Sequence, residues 1–387
     1  MRRLPAAIAA VGLATTALVS GAVPAPAKAE KSAVIVLNGQ GNDLDAYAPS
    51  PPFKHQTVIR TRAKDPKGLD INAQICFFGD GRTFIAGEDT GQPDPIQGWG
   101  IFRLRGSRVG KLTAREIGKL QPTYQGAADN AENYGCGVLS DGRIVTTDIG
   151  NQASGPGDGQ LIIWFRPFDA GFHHVKKGTV GTVSYCKLDI GIGTAGGIAI
   201  DDQDRIYVAS ARGETAGVWR YTGPFPTSAD ASGGCDGKDL TGAPMAATVD
   251  KEHFITTKNE LATPNAIIRS HDGTTWFVSS VLTGVINEYD EDGRYLRTVL
   301  HPPGGEQVGP KPLSTGSPLG LGIGPDGAIY FADIGLVANA DGIGPGDGTG
   351  RVRRITFADG EPRAPETMAE GLAFPDGIGV FVPPKKG

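Results

Sequence analysis

Between Gly316 and Phe357 the apolar and polar positions describe three strands in succession. The apolar run Leu319 to Ile323 stops at Pro325-Asp326-Gly327, where a fixed φ and a permissive glycine suit a tight reversal. Ala328 to Ala332 then alternates as a strand does. Asp333-Ile334-Gly335 opens a glycine-rich loop, and Arg351 to Phe357 interleaves basic and apolar residues, the pattern of a half-buried strand. These elements predict most of one blade of a β-propeller.

The same frame recurs upstream around a turn: Asp80-Gly81, Asp141-Gly142, Asp202 to Asp204, Asp272-Gly273 and Asp326-Gly327. Such recurrence marks a repeat architecture. Seven residues after each turn residue (Gln203 in the third case), the strands RTFIAG, RIVTTD, RIYVAS, TWFVSS and AIYFAD are expected to close at Gly87, Asp148, Ser210, Ser279 and Asp333. Asp148 to Gly159 and Asp333 to Gly348 share both ends and differ by an insertion. Full blades are expected at about 69–122, 132–190, 193–258, 262–300 and 316–370. Ser32 to Ala63 holds strand-like pieces without an inner strand, and Gly371 to Pro383 looks like an inner strand with nothing after it. Joining the two predicts an all-β, six-bladed propeller in which N-terminal strands and a C-terminal strand close the last blade, leaving no sheet edge open.

Composition changes the picture in two ways. A chain of 387 residues would ordinarily suggest more than one domain, but repeats point to a single closed one, and 58 Gly with 28 Pro suit its many turns. A net charge of −5 offers no basic footprint, so no nucleic-acid partner is expected, and the protein is expected to be a monomer.

At the N-terminus, Arg2 and Arg3 precede an apolar run from Leu4 to Val23 and then Ala27-Lys28-Ala29, the pattern of a cleaved signal peptide over residues 1–29. Residues 30–387 are then one propeller domain, secreted or periplasmic, with no membrane span after cleavage. Export makes two disulfides the expected use of four cysteines. Cys76 and Cys136 fall on inner strands of adjacent blades by their place in the repeat. The expected pairs are therefore Cys76 with Cys136 and Cys186 with Cys235.

Polar residues where inner strands begin, and where second strands turn into third, face one end of the channel. The first set is Asn72, Asn133, Thr194, Asn265, Leu319 and Asp376. The second is Asn38, Glu88, Asp89, Asp148, Asn151, Glu214, Asp333 and Asn339. Carboxylates and amides without histidine suit a hard cation such as Ca2+. Asp148 and Asp333 have an alternative use, capping glycine-rich turns. His173-His174 and His271 read as surface residues, and Trp99, Trp164, Trp219 and Trp276 as blade packing. No G-x-S-x-G elbow appears, and no glycine run sits in a βαβ unit.

The strings TPNAIIRSHDGTTWFVSSVLTGVINEYDEDG, PLGLGIGPDGAIYFADIG and FPDGIGVF resemble the six-bladed propellers of the gluconolactonase and senescence-marker-protein superfamily, with NHL-repeat relatives. The resemblance covers nearly all of residues 30–387 as a blade pattern. It implies a calcium ion in the channel that polarises a lactone or ester carbonyl. Asn265, in Pro264-Asn265-Ala266, matches the family's metal-binding Asn, and Asp376, in Pro375-Asp376-Gly377, its Pro-Asp-Gly carboxylate. Asn133, Glu88 and Asp333 complete the candidate metal set, with Glu132 as another candidate. Two departures stand out: the blade after Asn265 offers Pro318-Leu319-Gly320 where the Asp belongs, and no residue matches the first-blade Glu clearly.

Two functions follow as expectations. One is calcium-dependent hydrolysis of a small lactone or ester, with Asp376 or Asp148 as the base that activates water. The other is an exported, non-catalytic propeller that binds a ligand or protein partner, any metal being structural.

Overall fold

The computed structural model describes residues 33–38, 42–89, 97–120, 133–149, 159–166, 184–211, 213–230, 235, 248–302, 316–339, 342–346 and 348–383. Residues 1–29, expected to be a signal peptide, lie outside this set. Lys31–Gly387 forms one compact unit. The described residues contain strands and one short 3₁₀ turn at Gly213–Thr215. No helix among them is long and apolar enough to cross a membrane.

The strands assemble into four-stranded antiparallel sheets. The first holds β1 (Ala33–Asn38), β2 (Leu44–Tyr47) and β3 (His55–Ile59). The next is β4 (Asp70–Phe77), β5 (Thr83–Asp89), β6 (Gln97–Arg105) and β7 (Thr113–Leu120). Then come β8 (Asn133–Val138), β9 (Ile144–Asp148), β10 (Gln160–Trp164) and β11 (Tyr185–Asp189). They are followed by β12 (Ala195–Ile200), β13 (Ile206–Ser210), β14 (Gly217–Thr222) and β15 (Asp250–Thr256). The fifth sheet is β16 (Pro264–Arg269), β17 (Thr275–Ser280), β18 (Val285–Asp290) and β19 (Tyr295–Leu300). The last begins with β20 (Pro318–Ile323) and β21 (Ile329–Asp333). A hairpin of β22 (Leu336–Asn339) and β23 (Gly342–Pro345) interrupts it. It resumes with β24 (Gly350–Ile355), passes a second hairpin, β25 (Phe357–Ala358) and β26 (Glu361–Pro362), and ends with β27 (Glu366–Leu372). The final strand, β28 (Pro375–Phe381), pairs with β1 and so supplies the inner strand of the first sheet.

The chain is thus an all-β propeller. Its self-contained blades, each built from one continuous stretch, number five rather than six. The remaining four-stranded sheet is a composite of both ends of the described chain, because β1–β3 carry no inner strand of their own. The inner strands β28, β4, β8, β12, β16 and β20 pack in that order, and β20 returns to β28.

Between the sheets lie apolar clusters fed by alternate residues of facing strands. Phe84, Phe102 and Phe381 lie between the composite sheet and the next, and Tyr207, Trp276 and Tyr289 between the fourth and fifth. Trp99, Trp164 and Trp276 are buried in strands as expected, whereas Trp219 is half-buried and stacks on the exposed His253, ring centroids 4.5 Å apart. Both expected disulfides form. Cys76–Cys136 joins β4 to β8, and Cys186–Cys235 ties β11 to the segment after β14.

Each contiguous blade shifts register near the start of its inner strand, for example between Asn133 and Cys136, Ala195 and Ile198, Pro264 and Ile267, and Pro318 and Leu321. A repeated bulge of this kind bends the strand and re-aims a side chain toward the axis. The register also corrects two positions. Asp89, not Gly87, ends β5, and Ser280, not Ser279, closes β17 opposite Pro264, since the turn after Asp272 is one residue longer than those after Asp141, Gln203 and Asp326.

Candidate functional site

Asn133, Ala195, Pro264 and Pro318 occupy equivalent ladder positions, opposite Asp148, Ser210, Ser280 and Asp333. The residues one step further in, Tyr134, Gly196, Asn265 and Leu319, are therefore equivalent too, and Asp376 follows Pro375 in the same way in β28. Three of them meet. The Asn265 side-chain amide donates to the Tyr134 hydroxyl at 2.6 Å and to the Leu319 carbonyl at 3.1 Å. The Asp376 carboxylate lies beside the Tyr134 hydroxyl, near enough for its charge to act on it, and its Oδ2 accepts the Ala73 backbone N–H at 3.0 Å. Tyr134 reaches past β12, where Gly196 leaves room, to β16, and past β4 to β28. A phenol thus spans the channel and links three inner strands. Burial and the neighbouring Asp376 charge push its pKa well above the ordinary tyrosine value, so the hydroxyl keeps its proton.

Apolar side chains close over this hub. Tyr134, Leu319, Ile334 and Leu336 form one buried cluster, with Ile149, Val281 and Phe374 half-buried against it. Ile334 and Leu336 come from the segment opening the β22–β23 hairpin. Deeper in the channel, Gln74 bridges β4 to β12, donating to the Ile198 carbonyl at 2.9 Å and accepting the Ile198 and Cys136 N–H groups at 2.9 and 3.2 Å. Two hydroxyls lock neighbouring blades in the same manner. Thr147 Oγ1 accepts from Gly135 N–H and donates to Gly196 O, while Ser279 Oγ accepts from Ala266 N–H and donates to Leu319 O.

Of the expected metal set, the structure brings together Asn265 and Asp376 only. Glu88, Asp148 and Asp333 sit on second strands, one strand out from the axis. Glu88 is buried, and its Oε1 accepts Arg62 Nη2 at 3.1 Å and Lys119 Nζ at 2.7 Å. Asp333 caps its own loop, Oδ1 accepting the Ser317 and Gly335 N–H groups at 2.9 and 3.0 Å, with Arg351 and Arg353 at 3.8 and 3.9 Å. Burial raises its pKa, opposed by those amides and guanidinium groups. Asn133 turns back to donate to Gly98 O at 2.8 Å. Asp148 is buried opposite Asn133 and Gln160. Glu132, Asn151 and His173-His174 lie outside the described residues, and His271 is exposed in the turn after β16.

Among the described residues the candidate ligands do not converge as calcium requires. A calcium ion needs several converging oxygens. At the hub, the Asn265 amide presents N–H, and the phenol hydroxyl stands between that amide and the Asp376 carboxylate. Among the described residues no three His, Cys, Asp or Glu side chains gather where they could hold a metal. Sequence reading missed Tyr134 because it placed Asn133 in the ring. Aligning ENYGC with TPNAI, SPLGL and FPDGI on their prolines sets Tyr134 beside Asn265, Leu319 and Asp376.

The sequence matches no protein-family description and no curated protein. Solved structures share the fold. A periplasmic gluconolactonase of Pseudomonas aeruginosa superposes with a TM-score of 0.52 at 13% identity, over 91% of this chain and 99% of that one. A chain of a nidogen/laminin complex superposes equally well, with a TM-score of 0.52 at 10% identity, over 91% and 98%. An enzyme and a component of a protein complex fit the same frame, so likeness at this level speaks for the propeller and leaves its activity open.

Proposed function

We propose that this protein is an extracytoplasmic propeller that acts by binding a partner, and that its channel mouth is a structural hub that works without calcium. The observation that carries the reading is the Tyr134 hydroxyl held between Asn265 and Asp376, the two residues that a channel cation would need. Among the described residues the phenol packs with Leu336 and Ile334 rather than with groups that would hold an attacking water, which supports this reading. Two disulfides fit an oxidising compartment, which supports export. The composite sheet serves as the sixth blade in this reading, since β28 packs between β20 and β4 as the other inner strands pack between their neighbours.

The test joins calorimetry to an activity panel. Purified protein is expected to keep its melting temperature within about 1 °C on chelation and on adding millimolar calcium, because no site couples the ion to folding. It is also expected to leave lactones and aryl esters intact. Calcium-dependent hydrolysis that disappears in Asn265→Ala would overturn the proposal in favour of the lactonase reading.

A further inference from the structure

The segment joining the composite sheet to the first contiguous blade, residues 60–70, lies across the seam between them and is held by carboxylates. Asp43, 5% exposed, accepts the Thr61 N–H at 2.8 Å through Oδ1, and its Oδ2 is ion-paired with Lys64 Nζ. Asp70 Oδ1 accepts the Thr61 hydroxyl at 2.5 Å and the Arg62 N–H at 3.0 Å. Glu88, 1% exposed and on the far side of the seam, takes the Arg62 guanidinium and the Lys119 ammonium on one oxygen. Its other oxygen, Oε2, lies over the bare backbone of β6, where a Cβ at position 100 would stand 3.3 Å away. Gly98 and Gly100 on that face therefore let side chains of β5 and β7 meet across β6.

We propose that residues 60–70 form an ionic strap, and that seating the strap and burying Asp43 and Glu88 are a single event that closes the ring at this seam. A buried carboxylate is tolerated only with its partners in place. Thr61 and Lys64 supply the partners of Asp43, and Arg62 one of the two cations on Glu88, so lifting the segment strands Asp43, leaves Glu88 with Lys119 alone and brings water into the seam. The cations' heads reach solvent, with the Lys64 side chain 54% and the Arg62 side chain 33% exposed, so dissolved salt can compete for them. The seam on the other side of β4 is tied by the Cys76–Cys136 disulfide, and among the described residues each of the three seams from β11 onward is crossed by a single ion pair, Lys251 with Asp189, Arg269 with Asp202 and Arg297 with Glu361, where the strap sets two. The strapped seam is then the one that opens first, freeing β1–β3 as an arm joined to the ring through β28.

Hydrogen exchange on the full chain tests this. Raising sodium chloride from 20 mM to about 500 mM, which cuts the screening length several-fold, is expected to speed exchange in 60–70 and in β3 more than in β12–β15. Arg62→Gln removes one charge-assisted bond, and exchange in the same segments is expected to rise about tenfold at low salt. Exchange in 60–70 that is as slow in Arg62→Gln as in the parent, or that rises equally in every blade, overturns the proposal. The salt series on the unaltered protein gives the same readout should that variant fail to fold.

Discussion

Replacing Tyr134 with Phe removes one oxygen and leaves the ring in place, so its cost isolates the hub. The hydroxyl accepts a hydrogen bond from the Asn265 amide and stands beside the buried Asp376 carboxylate. A neutral bond is worth about 1 kcal/mol and a buried polar group deprived of its polar neighbour costs about 1–3 kcal/mol, so Tyr134→Phe should cost about 3 kcal/mol. In a chain of this length about 2 °C accompanies each kcal/mol, and the melting temperature should fall by roughly 6 °C. Urea titration gives the free energy directly, provided the slope with denaturant is unchanged. A double-mutant cycle with Asp376→Asn then separates the link from the parts. Residues in contact couple, and an interaction energy of at least about 1 kcal/mol is expected. A loss under about 0.5 kcal/mol for Tyr134→Phe, or simple additivity in the cycle, would show that the phenol does not bridge the channel and would remove the reason for denying calcium its place.

Two further outcomes follow from packing and charge. A Cβ at Gly377 would stand 1.9 Å from the Ala73 carbonyl oxygen, backbone against backbone at the seam of β28 and β4, so Gly377→Ala should destabilise by about 3 kcal/mol or more, read as a shifted urea midpoint. Glu116 is pushed up to about 7 from its ordinary 4.5 by burial and then by the neighbouring Glu88 charge, against the pull of Lys119. Because the folded state holds this proton more tightly, the associated stability is complete below about pH 4.5 and is lost as pH rises through about 7. With its side chain 27% exposed, solvent trims the effect to about 2 kcal/mol. Melting curves from pH 5 to 8.5 should therefore slope down with pH more steeply in the parent than in Glu116→Gln, and parallel slopes would refute the shift.

The propeller was legible because its signals are local. The Asp-Gly turns and the strands that follow them repeat at short range, and the missing inner strand between Ser32 and Ala63 pointed to the strand at Pro375–Phe381. The hub was legible only in part. Asn265 and Asp376 stood out by the company of Pro264 and Pro375, but their meeting with Tyr134 crosses the axis between residues far apart in sequence, and no periodicity encodes that distance. Glu88 and Asp333 misled because a carboxylate at a strand end reads alike whether it faces the axis, an arginine or its own loop amides. The outcome depended on Gly98 and Gly100 baring one face of β6, and on the amides of Ser317 and Gly335.

The composite sheet also sets an order of events for a chain made from its N-terminus onward. The strands Ala33–Asn38, Leu44–Tyr47 and His55–Ile59 emerge before the five contiguous blades, yet the strand that completes their sheet, Pro375–Phe381, emerges after all of them. Contacts of such long sequence separation form late and slowly. Until then β1 keeps an unpaired edge, the kind that recruits other chains. A message broken off shortly before the codon for Pro375 would yield a product that holds the five contiguous blades and cannot complete its circle, so this one strand decides whether everything synthesised before it is kept or discarded.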